Sequence, residues 1–464
     1  MKKSFLLIAL LCAFVFNFFP FISKAQTAKP EKYSIVKIYL QPGIMQKLND
    51  KGVYFDEGQT LPGKYYISAF NQWELLQIKS AGARYDILID DAAKEFEQRN
   101  AADIKLHPNP KEESERTASI NCTYATPAMF NLGNMGGYLR YEEMLAALDT
   151  MHARYPNLCS AKTPISTTQK TFEGRSLYYV KISDNVNVNE NTEAKILYTG
   201  LHHAREGLSM MNLIFFMDYI LENYNKDADA KKIINNCELY FVPCVNPDGY
   251  VYNQTTNPNG GGMWRKNRRN DASVKQGVDL NRNYGYQWGL ASGSSGNQSS
   301  DTYRGPSAFS EAESQLVKSF AIQKKFTASI HHHSYAKILF YPWDYTNTNC
   351  SEALFFKQWG DSMTACNHYA VQHGKGSLGY LASGTTPDWM YGDSTLKPKA
   401  YSFTNEIGGN SFWPSQSQII PLCRDQVLLN MRLALNGISL NKKNVPVVNS
   451  SAIKNNTAII TSDQ

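Results

Sequence analysis

The sequence has 464 residues, with 47 lysines and arginines against 41 aspartates and glutamates, and a formal net charge of +6 at pH 7. This length allows one large domain and a smaller one, each with a buried core. Because the charge balance is mild and no long basic run occurs, the composition excludes an evident nucleic-acid partner.

Residues 1–25 have the pattern of a secretory signal peptide. Two lysines precede an apolar run over residues 5–21, and Ser23 and Ala25 supply the small residues of a cleavage site. The alternative is a membrane anchor, but the run is short for one and contains Pro20. We therefore expect a secreted, periplasmic or extracellular protein, near-neutral once cleaved and without stable membrane insertion.

Residues 26–90 are predicted to form a small α/β domain. Alternating apolar residues indicate strands, and apolar spacing of three to four residues indicates helices. The expected strands are Tyr33–Leu40, Tyr65–Ala69 and Tyr85–Ile89, and the expected helices are Ile44–Lys51 and Trp73–Ala81.

Residues 91–117 are charged and rich in small side chains, which predicts a flexible linker. The linker carries basic residues at which an activating protease could cut: Arg99, Lys105, Lys111 and Arg116. A solvated surface loop is the alternative interpretation.

Residues 118–440 are predicted to form a large α/β domain, and the polar residues 441–464 a tail. Amphipathic helices alternate with short apolar strands, which is typical of a central mixed, mostly parallel sheet flanked by helices. In such sheets, sites form at the carboxyl ends of the strands. The predicted helices are Tyr138–Arg154, Leu208–Asn223, Ser310–Gln323 and Gln426–Ala434, and the predicted strands are Lys195–Thr199, Leu239–Val245, Phe326–His331, Ile338–Tyr341 and Lys399–Asn405.

Cysteine usage is compatible with export. Seven of the eight cysteines lie beyond the predicted signal peptide. Seven is an odd number, so at least one thiol has no partner within the chain. Cys350 and Cys366 are the most local candidate pair.

The first polar cluster follows a predicted strand. His203 and Glu206 are three residues apart at the start of an apolar helix. One turn of helix brings an imidazole and a carboxylate to the same side. Two such ligands and a distant third would leave one position of a tetrahedral zinc open for water.

Two further clusters end predicted strands. Three consecutive histidines follow the strand FTASI, and alternation places His331 and His333 on one face and His332 on the other. Glu406 ends the apolar segment AYSFTN. All three clusters are therefore expected at the same edge of the sheet.

Together these motifs resemble the zinc metallocarboxypeptidases of the carboxypeptidase A/B type, and more closely their bacterial carboxypeptidase T-like relatives. The resemblance spans about 300 residues and includes eight motifs in order. They are HHARE (202–206), NPDGY (246–250), MWRKNRR (263–269), GVDLNRNYGYQWG (277–289), TYRGPSAFSE (302–311), HSYAKILFYPW (333–343), YLASGTTPDW (380–389) and SFTNE (402–406).

The resemblance implies one zinc ion per chain, held by His203, Glu206 and His333. His331 lies on the same strand face and is the alternative third ligand. Asp279 matches the carboxylate that holds a ligand imidazole in its metal-binding tautomer.

The resemblance also implies the chemistry. Glu406 would be the general base that takes a proton from the zinc-activated water and passes it to the departing amine. Arg265 would stabilise the oxyanion that develops on the scissile carbonyl.

Substrate recognition follows from the same resemblance. Asn281, Arg282 and Tyr380 would bind the terminal carboxylate of the substrate, and Arg205 would add a basic contact further along the cleft. The base of the pocket for the terminal side chain falls at Pro387. Relatives that prefer lysine or arginine have an acid at this position, so we expect apolar or neutral terminal residues here. The alternative is a preference for basic residues, with the charge supplied by the nearby Asp388 or Asp393.

The sequence therefore predicts a secreted zinc carboxypeptidase, made as a zymogen, monomeric, and acting on the C-termini of peptides and proteins. The small N-terminal domain resembles, in pattern only, the propeptides that cap the cleft in this family. A retained accessory domain is the alternative. The rival functions are a related peptidase of cell-wall peptides and a non-catalytic peptide-binding protein.

Overall fold

The computed structural model describes residues 30–116, 124–290, 293–374 and 380–444. The predicted signal peptide, and the predicted tail from residue 445 onward, lie outside these ranges. The described residues from Glu31 onward belong to one compact unit. In the described ranges, no helix has the length and apolar character needed to cross a bilayer.

The N-terminal part contains a small antiparallel sheet with the strand order β2-β3-β1-β4. Strands β1, β3 and β4 and both helices were expected, and the short β2 was not. The elements are β1 (Tyr33–Tyr39), α1 (Ile44–Asp50), β2 (Gln59–Leu61), β3 (Tyr65–Asn71), α2 (Gln72–Ser80) and β4 (Tyr85–Ile89).

The segment predicted to be a flexible linker is largely helical. It contains α3 (Ala92–Leu106) and α4 (Pro110–Arg116). The Asp91 side chain caps α3 by accepting from the Lys94 amide. Only one narrow face of α3 is buried, along Ala92, Phe96 and Asn100. The remaining faces of the helix are mostly polar, which gives the segment the composition of a solvated linker.

Two of the four basic sites in this segment are engaged. The Arg99 guanidinium donates to Ser415 Oγ at 2.6 Å and to the Trp413 carbonyl at 3.0 Å. Lys111 Nζ donates to the carbonyls of Ala128 and Phe130. Both side chains are therefore half-buried and bonded to the rest of the protein.

The large domain has the expected architecture. Its mixed sheet has the strand order β11-β10-β12-β9-β7-β8-β6-β5 in the part of the chain that the structure describes. The elements are α5 (Tyr141–Arg154), β5 (Thr163–Pro164), β6 (Tyr178–Ile182), β7 (Ala194–Thr199), α6 (Gly207–Glu222), α7 (Ala228–Ile234), β8 (Cys237–Val242), α8 (Pro247–Thr256), a 3-10 helix (Leu280–Arg282), α9 (Ala312–Lys324), β9 (Ala328–His333), β10 (Ile338–Tyr341), α10 (Ala353–Met363), β11 (Ala370–His373), α11 (Thr386–Gly392), β12 (Tyr401–Glu406), α12 (Gln416–Arg424) and α13 (Val427–Asn444).

Alternation along the strands builds a core on each face of the sheet. In β7, Ile196 and Tyr198 belong to the cluster that includes residues of α6 and α13. Leu197 belongs to the opposite cluster, with residues of α9 and α11. The central sheet flanked by helices, predicted from the sequence, is confirmed.

Strands β7, β9 and β12 are neighbours and mutually parallel, with β9 in the middle. In register, Thr199 lies opposite His331, and His333 lies opposite Glu406. Since parallel strands present their carboxyl ends at one edge, the three polar clusters of the sequence meet there.

The most local cysteine pair is not a disulfide. Cys366 is disulfide-bonded, whereas Cys350 is a free thiol. The 11-residue helix α10 lies between them. A helix of this length spans about 16 Å, well beyond the roughly 7 Å between Cα atoms that a disulfide allows.

Candidate active site and metal centre

His203 and Glu206 are positioned by the junction between β7 and α6. Glu206 caps α6, a helix in which Gly207–Leu221 is buried throughout. The amide of Glu206 bonds to the carbonyl of His203 at 3.2 Å, which makes the turn compact. Both side chains are completely buried, so their positions are fixed by packing on all sides.

His203, Glu206 and His333 converge on one point. The Nδ1 atom of His203 lies 2.6 Å from Glu206 Oε1, and the Nδ1 atom of His333 lies 2.9 Å from Glu206 Oε2. The two Nδ1 atoms are 3.1 Å apart. Two imidazole nitrogens and a carboxylate, all buried and facing one another, are the donor set of catalytic zinc sites. The residues present therefore fit zinc.

The structure brings His333, and not His331, into this group. The Nδ1 atom of His331 lies 2.8 Å from Thr199 Oγ1 on the neighbouring strand. Burial and the imidazole of His202 lower the pKa of His331 well below its usual value, so it is neutral. Among the described residues, one group of side chains close enough to share a cation contains His333, and no such group contains His331.

Asp279 contacts the other side of the His203 ring. Its Oδ1 atom accepts from His203 Nε2 at 3.1 Å and from the Asn281 amide at 2.9 Å. Burial would raise the pKa of Asp279, but the charges of Arg265 and His203 outweigh it and hold the pKa below its usual value. An ionised carboxylate at Nε2 leaves Nδ1 of His203 free to face the metal.

Arg265, Asn281 and Arg282 lie around the same carboxylate. Nε and Nη2 of Arg265 donate to Asp279 Oδ2 at 3.1 and 2.8 Å. Asp279 caps the 3-10 helix that carries Asn281 and Arg282. Asn281 Oδ1 in turn accepts from the amide of Thr386, which ties the 3-10 helix to the first residue of α11.

Arg205 and Tyr380 lie at the edge of this cluster. Arg205 Nη1 donates to Asp301 Oδ2 at 2.8 Å, and its guanidinium stacks 4.2 Å from the Phe412 ring centroid. The Tyr380 hydroxyl donates to the carbonyl of Asp56. Burial raises the pKa of Tyr380 well above its usual value, so this hydroxyl keeps its proton.

Glu406 is the last residue of β12 and is almost completely buried. Its Cα lies in register with that of His333 on β9, and partner residues of parallel strands point to the same face. The carbonyl of Glu406 accepts from the Lys337 amide, which fixes the strand end. The carboxylate therefore lies on the same face of the sheet as the ligand group.

Pro387 is the second residue of α11. The carboxylate of its neighbour Asp388 accepts from the amides of Asp344 at 3.0 Å and Tyr345 at 3.2 Å. Asp393 accepts from Trp389 Nε1 at 3.0 Å. Asp388 is thus engaged by the loop that follows β10, and Asp393 by a residue of the helix that it follows.

Two acidic residues that were not predicted from the sequence contact the arginines of this site. Asp56 Oδ1 lies 2.5 Å from Arg282 Nη2, and its other oxygen accepts from Arg265. Glu57 accepts from Arg265 and from Arg205. Nothing in the acidic pair of the segment YFDEGQ distinguishes it from an ordinary loop, and only the folded chain reveals these contacts.

Comparisons with known proteins agree with this geometry. Residues 144–428 match the model of the zinc carboxypeptidase family. The chain belongs to this family. Rat carboxypeptidase A1 is 28% identical over 87% of this chain and 90% of its own. Mouse carboxypeptidase A4 is 32% identical over 75% of this chain and 77% of its own.

Two solved structures share the fold. The thrombin-activatable fibrinolysis inhibitor superposes with a TM-score of 0.67, at 22% identity, over 88% of this chain and 99% of its own. Carboxypeptidase A of Helicoverpa armigera gives 0.66, also at 22% identity, over 89% and 99%. The predicted carboxypeptidase A/B membership is confirmed, and the closer likeness to carboxypeptidase T-like enzymes stays a prediction. The protein is a zinc-dependent peptide hydrolase.

The ligand set can be tested by metal analysis of purified variants. We expect His333→Ala to lose most of its zinc at micromolar protein, because one of three protein donors is gone. His331→Ala is the matched control, and we expect it to keep one zinc per chain because its ring bonds to Thr199. The reverse pattern, with zinc lost only in His331→Ala, would contradict the assignment.

Proposed function

We propose that the protein is a secreted precursor of a zinc carboxypeptidase that removes the C-terminal residue of peptides and proteins. The observation that carries this proposal is the buried group of His203, Glu206 and His333 beside three arginines, Arg205, Arg265 and Arg282. A cation with one open coordination position can bind the scissile carbonyl or a water. The neighbouring guanidinium groups can bind the carboxylate at the end of a peptide.

Zinc held by these ligands would lower the pKa of a water and polarise the scissile carbonyl. Glu406 would accept the proton of that water and deliver it to the leaving amine, since its carboxylate shares the sheet face of His333. Arg265 would donate to the developing oxyanion. Its hold on Asp279 keeps the guanidinium in a fixed orientation, so little reorganisation is needed during the reaction.

The restriction to C-termini would come from Arg282, Asn281 and Tyr380. Arg282 is completely buried, and its Nε and Nη1 groups bond to the backbone carbonyls of Gly293 and Asn281, which orients its remaining donors. A guanidinium fixed in this way binds a carboxylate with little entropic loss. An internal peptide bond has no anion to place there.

The expected preference for apolar or neutral terminal residues remains part of the proposal. Pro387 itself carries no charge. The engagement of Asp388 with the amides of Asp344 and Tyr345 supports it, because that carboxylate would have to leave its amide donors to reach a cationic side chain.

We further propose that the chain is a zymogen. Asp56 and Glu57 come from the N-terminal part and contact the arginines that would bind substrate. Cleavage would fall after Lys105 or Arg116, because Arg99 and Lys111 bond to the large domain or the segment leading into it.

The general-base role is tested with Glu406→Gln in the cleaved enzyme. We expect kcat on a blocked dipeptide to fall by about 100- to 10,000-fold, because the amide cannot take a proton. Zinc content should not change. Glu352→Gln is the control, since that carboxylate bonds to Tyr391 and Tyr401 instead. Full activity in Glu406→Gln would exclude this role.

The carboxylate clamp is tested with paired substrates that differ only in a free or an amidated C-terminus. We expect the cleaved enzyme to prefer the free acid. Arg282→Ala should cost roughly 2–5 kcal/mol of transition-state stabilisation for the acid and much less for the amide. Equal losses on both substrates would contradict the clamp.

The same assay distinguishes the rival functions. An enzyme that trims wall-derived peptides and ignores ordinary peptides would favour the cell-wall peptidase. A zinc-loaded, cleaved protein that trims neither would favour the peptide-binding protein. Varying the terminal residue of the free acids measures the preference expected from Pro387.

A further inference from the structure

The carboxylate of Glu57 reaches the ligand group itself, beyond the arginines. Its Oε1 atom lies 3.2 Å from Nδ1 of His203, the ring nitrogen that faces Glu206. One oxygen of Glu57 and the ligand atoms of His203, Glu206 and His333 all lie within 4.8 Å of one another. Four donors at this spacing can share one cation.

We propose that Glu57 is the fourth zinc ligand of the uncleaved chain. This inference rests on the proposed function in that it takes His203, Glu206 and His333 as the other ligands. A zinc with four protein ligands has the closed arrangement of structural sites, whereas catalytic sites keep one position for water or substrate. The position that Glu57 fills is the one that the reaction needs.

Glu57 suits this role better than its neighbour Asp56. Both oxygens of Asp56 are engaged by guanidinium groups, one by Arg282 and the other by Arg265. In a cation site formed by Asp56, His203 and Asp279, both oxygens of Asp279 are also already engaged, one by Arg265 and the other by His203. Glu57 Oε1 accepts from Arg265, but a carboxylate oxygen has a second lone pair that can face a metal.

The segment that carries Glu57 is fixed before any metal binds. The carbonyl of Glu57 accepts from Ser68 Oγ at 2.5 Å and from the Tyr66 hydroxyl. The next residue, Gly58, has φ of 145°, and a Cβ there would lie 2.2 Å from the carbonyl oxygen of Ile67. The backbone therefore holds the carboxylate in place, and little entropy is lost on binding zinc.

The surroundings leave no room for a peptide end. The space beside Asp56, Glu57, Arg205 and Arg265 is about 20 Å³, enough for roughly one water molecule. The N-terminal part thus occupies the fourth coordination position of the metal and also pairs with the arginine cluster. Removing it would open the coordination position and free the guanidinium groups in one step.

Zinc affinity of the full uncleaved chain tests the proposal. We expect competition with a chelator to show zinc bound at least about tenfold more weakly in Glu57→Gln than in the unsubstituted precursor. Asp56→Asn is the matched control, since the Asp56 carboxylate is paired with Arg265 and Arg282, and it should bind zinc like the precursor. The absorption spectrum of bound Co²⁺ should change in Glu57→Gln and stay the same in Asp56→Asn.

The cleaved enzyme provides the second comparison, which holds even if Glu57→Gln folds poorly. After removal of the N-terminal part, zinc should be bound more weakly than in the precursor, because one ligand has left. Equal affinity in precursor, Glu57→Gln and cleaved enzyme would overturn the proposal. A precursor that binds no zinc at all would instead overturn the ligand set of the proposed function.

Discussion

The site depends on one buried carboxylate, that of Asp279. Its Oδ1 atom accepts from His203, a candidate metal ligand, and from the amide of Asn281, and its Oδ2 atom accepts from Arg265. A single group therefore sets the tautomer of a ligand, the start of the 3-10 helix and the orientation of a guanidinium. Because Asp279 is fully buried, loss of its charge would leave Arg265 facing a desolvated neutral group, a strongly unfavourable state. One carboxylate thus orients both a candidate metal ligand and the candidate substrate-binding residues Arg265 and Asn281.

The second constraint is charge balance in the cleft. Arg205, Arg265 and Arg282 are buried close together, and Asp279 and Asp301 supply only part of the compensating charge. Asp56 and Glu57 add two further carboxylates that pair with these guanidinium groups. A substrate carboxylate would meet the same guanidinium groups once that segment leaves. The guanidinium groups that we propose recognise peptide ends also pair with Asp56 and Glu57 of the N-terminal part, which explains why these two acids point inward.

Much of the fold was predictable because the large domain obeys simple periodicities. Strands β9 and β12 end on His333 and Glu406, and β7 leads into the segment that carries His203 and Glu206. Parallel pairing brings these three strand ends together. Alternation along the strand narrowed the candidate third ligand to His331 and His333. The sequence cannot choose between the two, because the contact of His331 with Thr199 is formed only in the folded chain. The helix α3 was missed because a single narrow face of it is buried. The roles of Asp56 and Glu57 could not be predicted, since contacts across more than 140 residues leave no local pattern.

We propose that His203, Glu206 and His333 hold zinc beneath the N-terminal part of the chain. The most direct test is a crystal structure of the uncleaved, zinc-loaded protein with diffraction recorded on both sides of the zinc absorption edge. We expect one anomalous peak, within about 2.0–2.2 Å of Nδ1 of His203, Nδ1 of His333 and a Glu206 oxygen. A peak at His331, or at no histidine, would contradict the account.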